Sequence, residues 1–186
     1  MLMDDDRYAS LKTENIVASG SIADALDIEY ISSQLDGCEL NKKRFPGAVL
    51  RLTNPKIVAL LFTSGKIVMT GIKSKPDFYT GLNRILDLLK EVKGTQLTPP
   101  DVKITNMVCS FDTGEKINLN KMVLTFNLEN IEYEPEQFPG LVYRIAVPKL
   151  VALLFSSGKL ILTGGKNIDD VKLGVDIILQ KIGELR

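Results

Sequence analysis

Apolar and polar positions along the chain follow two rhythms. Ile57–Phe62 and Lys66–Lys73 are strand-length runs rich in branched and other apolar residues, and they predict extended structure. Gly47–Leu52 is a third such run, and Gly140–Ile145, Leu150–Phe155 and Lys159–Lys166 repeat the series. Ser-Gly at 64–65 and at 157–158 separates the last two runs of each series and predicts a tight hairpin turn. Elsewhere the rhythm is helical. Phe78, Leu82, Ile85, Leu86 and Leu89 make one apolar stripe, and Ile168, Val171, Val175, Ile178 and Ile182 make another. Ser74 and Asn167 stand as N-caps, with Asp77 and with Asp169 and Asp170 near the positive ends. Shorter helices are expected over Asp24–Leu35 and Leu119–Leu128, and first strands over Thr13–Ser19 and Val102–Ser110.

A helix with one stripe covers one face of an antiparallel sheet, and the other face should then be polar. These strands are apolar on both faces. Val58, Leu60 and Phe62 point one way, Ala59 and Leu61 the other; Val68 and Thr70 oppose Ile67 and Met69. A large bare apolar face is not tolerated in a soluble monomer, so it must meet a partner. Periodicity alone leaves open whether that face meets a different partner or is buried in a homodimer or in another fold.

The chain also repeats itself. Val58–Lys66 recurs as Val151–Lys159, with Phe62 and Phe155 standing 93 positions apart. At the same offset Phe45-Pro46-Gly47 matches Phe138-Pro139-Gly140, Arg51 matches Arg144, Pro55 matches Pro148, and Thr70-Gly71 matches Thr163-Gly164. Asn15 and Asn106 match with two residues fewer between them. Each copy reads β-α-β-β-β-β-α. Two copies are too few for a solenoid, so one pseudo-twofold α+β body is the simpler outcome. The expected organisation is a tail over 1–12, a first repeat over 13–94, a linker over 95–101 and a second repeat over 102–186.

Composition narrows the function classes. Hydrophobic residues make up 45% and charged residues 25%, which suits a folded soluble domain. No run of apolar residues is long enough for a membrane span, and the acidic start Met-Leu-Met-Asp-Asp-Asp lacks the order of a signal peptide. Cys38 and Cys109 have no metal-type spacing and are expected as reduced thiols of an intracellular protein, with no metal or cofactor. There is no histidine, which removes the commonest general base and metal ligand. Ser-Gly-Lys lacks the rest of a phosphate-binding loop and precedes a strand, not a helix. An enzyme is therefore not expected. The net charge is zero, from 23 basic and 23 acidic residues, which taken alone argues against a nucleic-acid binder.

The residues nevertheless resemble one family closely. Asn-Ile-Val at 15–17 and Asn-Met-Val at 106–108 are similar to the paired first-strand motifs of TATA-box-binding proteins. So are Lys-Arg-Phe-Pro-Gly at 43–47, Tyr-Glu-Pro-Glu-Gln-Phe-Pro-Gly at 133–140, and the two Ala-Leu-Leu-Phe-x-Ser-Gly-Lys segments followed by Thr-Gly. The resemblance spans 13–184 and implies a saddle, with a curved ten-stranded antiparallel sheet on DNA and four helices on its back. It implies a general transcription factor that sits in the minor groove of TATA-box double-stranded DNA and bends it, by about 80° for this family.

On that resemblance Asn15 and Asn106 donate to adenine N3 and thymine O2, the acceptors the minor groove displays. Val17, Leu60, Val68 and Thr70, with Val108, Leu153, Ile161 and Thr163, form an apolar floor. Phe45 with Phe62, and Phe138 with Phe155, are wedges for two kinked base steps. Arg51, Lys56, Ser64, Lys66, Arg144, Lys149, Ser157 and Lys159 are the candidate phosphate contacts, so a neutral total hides an uneven charge distribution. The loop before each first wedge, called a stirrup, differs between copies: Asn41-Lys42-Lys43-Arg44 is basic, while Glu132–Glu136 is acidic. The resemblance implies that Glu134 and Glu136 dock transcription factor B, and through it the RNA polymerase machinery. Archaeal relatives often carry acidic residues in both stirrups, so the basic first loop resembles eukaryotic members instead. The resemblance implies a cytoplasmic, nucleoid-associated protein for an archaeal source and a nuclear one for a eukaryotic source. The alternative is a protein-interaction or self-association module, and a weak homodimer off DNA would cover the same sheet face.

Overall fold

The computed structural model describes residues 6–126 and 128–185. Met1–Asp5 of the expected tail, residue 127 of the helix expected over Leu119–Leu128, and Arg186 at the end of the second repeat lie outside the described residues.

The chain divides into two units. One is Asn15–Thr105; the other is formed by the described residues of Met1–Glu14 and Asn106–Arg186. The first unit contains most of β1 (Lys12–Ser21), then β2 (Cys38–Leu40), β3 (Ala48–Leu52), β4 (Ile57–Leu61) and β5 (Lys66–Ile72). Helix α1 (Ile28–Gln34) lies between β1 and β2, and α2 (Lys75–Lys90) follows β5. These strands are antiparallel neighbours in the order β2-β3-β4-β5-β1. The second unit repeats the plan with most of β6 (Asp101–Asp112), then α3 (Leu119–Thr125), β7 (Ile131–Glu132), β8 (Leu141–Ile145), β9 (Leu150–Leu154), β10 (Lys159–Gly165) and α4 (Ile168–Gly183), in the order β6-β10-β9-β8-β7. The expected α+β class and twofold repetition are borne out. The linker is bound back onto the first unit, where Thr98 N–H donates to the Ile22 carbonyl at 3.0 Å.

Several boundaries differ from the expected ones for local reasons. The helix expected from Asp24 begins at Ile28. The Asp27 carboxylate accepts from Tyr30 N–H at 3.1 Å and sets the cap there. Just before it, Leu26 N–H donates to the Thr63 carbonyl at 3.0 Å, which holds that stretch out of a helix. The helix expected over Leu119–Leu128 ends at Thr125, capped at its start by Asn118 accepting from Lys121 N–H at 3.0 Å. Phe62 and Phe155 lie one residue beyond their strands. The edge strands β2 and β7 are three and two residues long, too short to show a period.

The long helices are capped as expected. Ser74 Oγ accepts from Asp77 N–H at 3.2 Å, and Asn167 Oδ1 from Asp170 N–H at 2.8 Å. The whole α2 stripe is buried, as are Ile16, Ala18, Ala59, Leu61, Ile67 and Met69 on one face of the sheet, and Gly81 of α2 comes close to the Ile57 and Met69 side chains. In α4 Val171, Val175, Ile178 and Ile182 are buried, but Ile168 is exposed: as the first helical residue it lies outside the covered stripe. Each fully buried aliphatic side chain contributes about 1.5–3 kcal/mol. Burial pushes both the Cys38 and Cys109 thiols above their ordinary pKa. Among the described residues no helix is long and apolar enough to cross a membrane.

Candidate nucleic-acid interface

The face that α2 leaves uncovered is the unusual one. Along β4 burial alternates strictly: Ile57, Ala59 and Leu61 are buried, whereas Val58 and Leu60 are half-buried. Val17, Val68 and Thr70 share the half-buried state. The register joins them into rows. Ser19, Val68, Leu60 and Val49 are successive cross-strand partners, as are Thr70 and Val58. In the second unit Ser110, Ile161, Leu153 and Val142 make the equivalent row, beside Thr163 and Val151. Each unit therefore carries an apolar platform bordered by small hydroxyls. Val49, Val58, Val142 and Val151 belong to this face and were not singled out as site residues. The signal was present: they occupy the outward parity of their strands and recur at the 93-residue offset.

At the border of each platform sits an asparagine held in one orientation. Ile16 pairs with Ile72 and Ala18 with Met69, so Val17 alone faces both Thr70 and Gly71. This is a β-bulge, with Gly71 at φ +83°. The bulge frees Gly71 N–H from the ladder, and Asn15 Oδ1 accepts it at 2.8 Å. A backbone N–H can only donate, so the amide oxygen must face it and the NH₂ must turn away. Asn15 Nδ2 lies 3.3 Å from Thr70 Oγ1, which leaves its second N–H for an acceptor on the uncovered face. The second unit repeats every part: Val108 faces Thr163 and Gly164, Gly164 has φ +94°, Asn106 Oδ1 accepts Gly164 N–H at 2.7 Å, and Nδ2 lies 3.4 Å from Thr163 Oγ1.

The phenylalanines form two matched pairs. Phe45 and Phe62 meet edge to face with centroids 5.6 Å apart, and Phe138 and Phe155 do so at 5.9 Å. Phe138 is 41% exposed, while the other three are half-buried. A Cβ on Gly47 would stand 2.8 Å from Phe45 Cε1 and 3.1 Å from Phe62 Cε1, and one on Gly140 would meet Phe138 and Phe155 at 2.7 and 3.0 Å. The glycine of Phe-Pro-Gly is the seat of the aromatic pair.

A family model described as transcription factor TFIID, or TATA-binding protein, matches residues 10–92 and again 101–185. The chain belongs to the TATA-binding protein family. It is 46% identical over 180 residues to TATA-box-binding protein 1 of Haloferax volcanii, covering 97% of this chain and 95% of that protein. It is 45% identical over 177 residues to TATA-box-binding protein 2 of Methanosarcina mazei, covering 95% and 97%. Among solved structures the TBP of Methanococcus jannaschii matches with a TM-score of 0.84 and 42% identity, covering 94% of this chain and 99% of that one.

In this TATA-binding-protein chain the candidate phosphate contacts divide into two groups. Lys56, Lys66, Lys149 and Lys159 are exposed, with no carboxylate partner among the described residues, and Ser64 and Ser157 are exposed beside them in sequence. Arg51 and Arg144 are instead paired with Glu39 and Glu132, each at 3.4 Å. Both pairs are largely exposed and worth at most about 1 kcal/mol, so a phosphate can displace either carboxylate. Glu134 and Glu136 are exposed on their loop.

Proposed function

We propose that this chain is a general transcription initiation factor that binds A·T-rich promoter DNA in the minor groove, kinks it, and recruits transcription factor B and RNA polymerase. The observation that carries the reading is the orientation of Asn15 and Asn106. Each amide is turned by a bulge glycine so that an N–H, and not an oxygen, is offered on an apolar face. The minor groove of A·T pairs displays acceptors only, whereas G·C adds the guanine amino donor, which an N–H repels. The relatives, TATA-box-binding proteins by name, point the same way. On promoter DNA in the archaeal nucleoid each repeat would supply its own apolar platform and one Phe pair. Inserting a wedge costs a few kcal/mol of unstacking, offset by the wider contact that bent DNA permits.

Phe62→Ala with Phe155→Ala tests the wedges. Energy transfer between dyes at the ends of a TATA duplex should report less bending, while the melting temperature of the free protein changes little because both rings are half-exposed. End-to-end distances equal to wild type would reject insertion. If wild type shows no preference for TATA over G·C-rich duplex and light scattering gives a dimer, the uncovered face serves self-association instead.

A further inference from the structure

The turns that join the third and fourth strands of each repeat differ in how they meet the long helix. In the first repeat α2 comes close to the start of β4 at Gly81, where a Cβ would stand 2.5 Å from Ile57 Cδ1. Arg84 follows one helical turn later. Its Nη1 donates to the Asn54 carbonyl at 2.7 Å and also to the Thr53 carbonyl. Asn54, at φ +50°, is the only non-glycine residue with positive φ among the described residues. The guanidinium thus gathers the two carbonyls at a left-handed step of the β3–β4 turn. At the 93-residue offset Thr53, Asn54 and Arg84 become Ala146, Val147 and Ile177. Val147 has no positive φ and is 85% exposed, and the isoleucine side chain has nothing to donate. The first turn is tied to its helix by a cation; the second has a hydrocarbon in that place.

The tied turn leads to an asparagine amide. A Cβ on Gly71 would meet the Lys56 carbonyl oxygen at 3.6 Å and Ile57 Cα at 4.0 Å, so the end of the turn lies against the bulge glycine. Gly71 N–H in turn donates to Asn15 Oδ1 at 2.8 Å, the bond that turns the amide hydrogens outward. We propose that Arg84 is a positioning residue, which braces the Asn15 amide through the β3–β4 turn and the Gly71 bulge, so that the two repeats read bases with unequal firmness. The inference rests on the proposed DNA-binding function. The left-handed region lies above the ordinary backbone minimum, so a turn that loses its hold on the Thr53 and Asn54 carbonyls relaxes. Lys56 and the peptide against Gly71 then move with it. Hydrogen bonds weaken steeply once the donor angle closes, so a small turn of the Asn15 amide loosens its bond to a base acceptor. In the second repeat Gly164 lies against the Lys149 carbonyl oxygen at the same 3.6 Å, and Asn106 is held alike, but no arginine stands at 177 to tie that turn.

Two measurements on the full chain test this. In the free protein, Arg84→Ala should quicken amide hydrogen exchange at Gly71 by about threefold to tenfold and leave Gly164 unchanged. On DNA, discrimination between a TATA duplex and its G·C-substituted form should fall by a similar factor, about threefold to tenfold. The same loss is expected on an Asn106→Asp background, and none on Asn15→Asp, whose donor is already gone. Arg84→Lys keeps a donor on a shorter reach; it should recover part of both effects, and it carries the same comparison if the alanine variant does not fold. Equal quickening at both glycines, or an equal loss on both backgrounds, would overturn the brace and leave Arg84 as general support for the fold. A wild-type chain without preference for TATA over G·C duplex would overturn the DNA-binding reading itself, and with it the role of Arg84 in base reading, even where exchange at Gly71 alone quickens.

Discussion

Asn15 shows how one side chain is given a direction. Its oxygen is committed to Gly71 N–H and one of its amide hydrogens lies toward Thr70, so what it offers a ligand is a donor. Asn15→Asp keeps the acceptor for Gly71 but removes the donor and faces a carboxylate toward base acceptors. Affinity for a TATA duplex should fall by about 1–3 kcal/mol, with discrimination against G·C pairs relaxed, and Asn106→Asp should behave alike. Titration calorimetry measures the first and competition with a G·C-substituted duplex the second. Unchanged discrimination would remove the amides from base readout. The alternating burial of β4 makes the opposite point about its neighbours: Leu60 faces out of the covered core while Leu61, identical in type, is fully buried.

Elements position these residues through their irregularities more than their regular parts. The bulges in β5 and β10 exist because Gly71 and Gly164 hold positive φ, and each aligns an asparagine in turn. The Phe-Pro-Gly turns exist because an aromatic pair rests on the glycine. Gly47→Ala with Gly140→Ala should therefore push the rings off their seats, at about 1–3 kcal/mol of overpacking each. Thermal unfolding should show the lower stability. End-labelled TATA duplex should bend less even at saturating protein, which separates displaced wedges from a fold that is merely weaker. A wild-type bend would mean that the rings find the same position without their seat.

At the scale of the whole molecule charge decides what composition conceals. Lys56, Lys66, Lys149 and Lys159 have no carboxylate partner among the described residues, whereas Arg51 and Arg144 must leave Glu39 and Glu132 to reach a phosphate. Arg51→Ala/Arg144→Ala should thus weaken binding equally on all sequences and flatten the log–log salt slope by up to about 1.8, less if the glutamates keep their hold. A loss confined to TATA with an unchanged slope would assign these arginines to base readout. On the proposed function the acidic stirrup serves a second surface. Glu134→Arg/Glu136→Arg should leave DNA affinity intact or raise it slightly, while abolishing the ternary complex with transcription factor B, which needs complementary basic groups there. A gel shift with and without the factor checks this, and a ternary complex as strong as wild type would return Glu134 and Glu136 to a solvated loop.

Much of this was legible without coordinates because two signals are local and repeated. Hydrophobic period separates Phe78–Leu89 from Ile57–Phe62, and a second copy of each makes chance agreement remote. The same parity marks Leu60, Val68 and Thr70 as a face without a helix to cover it. Capping was equally legible at Ser74 and Asn167, since it depends on residues three apart. Other features depend on contacts between segments distant in sequence, which period does not record. The late start of α1 follows from Leu26 meeting Thr63, and the pairing of Arg51 with Glu39 from the register of β2 on β3. The direction of the Asn15 amide required a bulge more than fifty residues away. Local pattern determined which face would be bare and apolar; only the tertiary structure decided that this face would carry oriented donors.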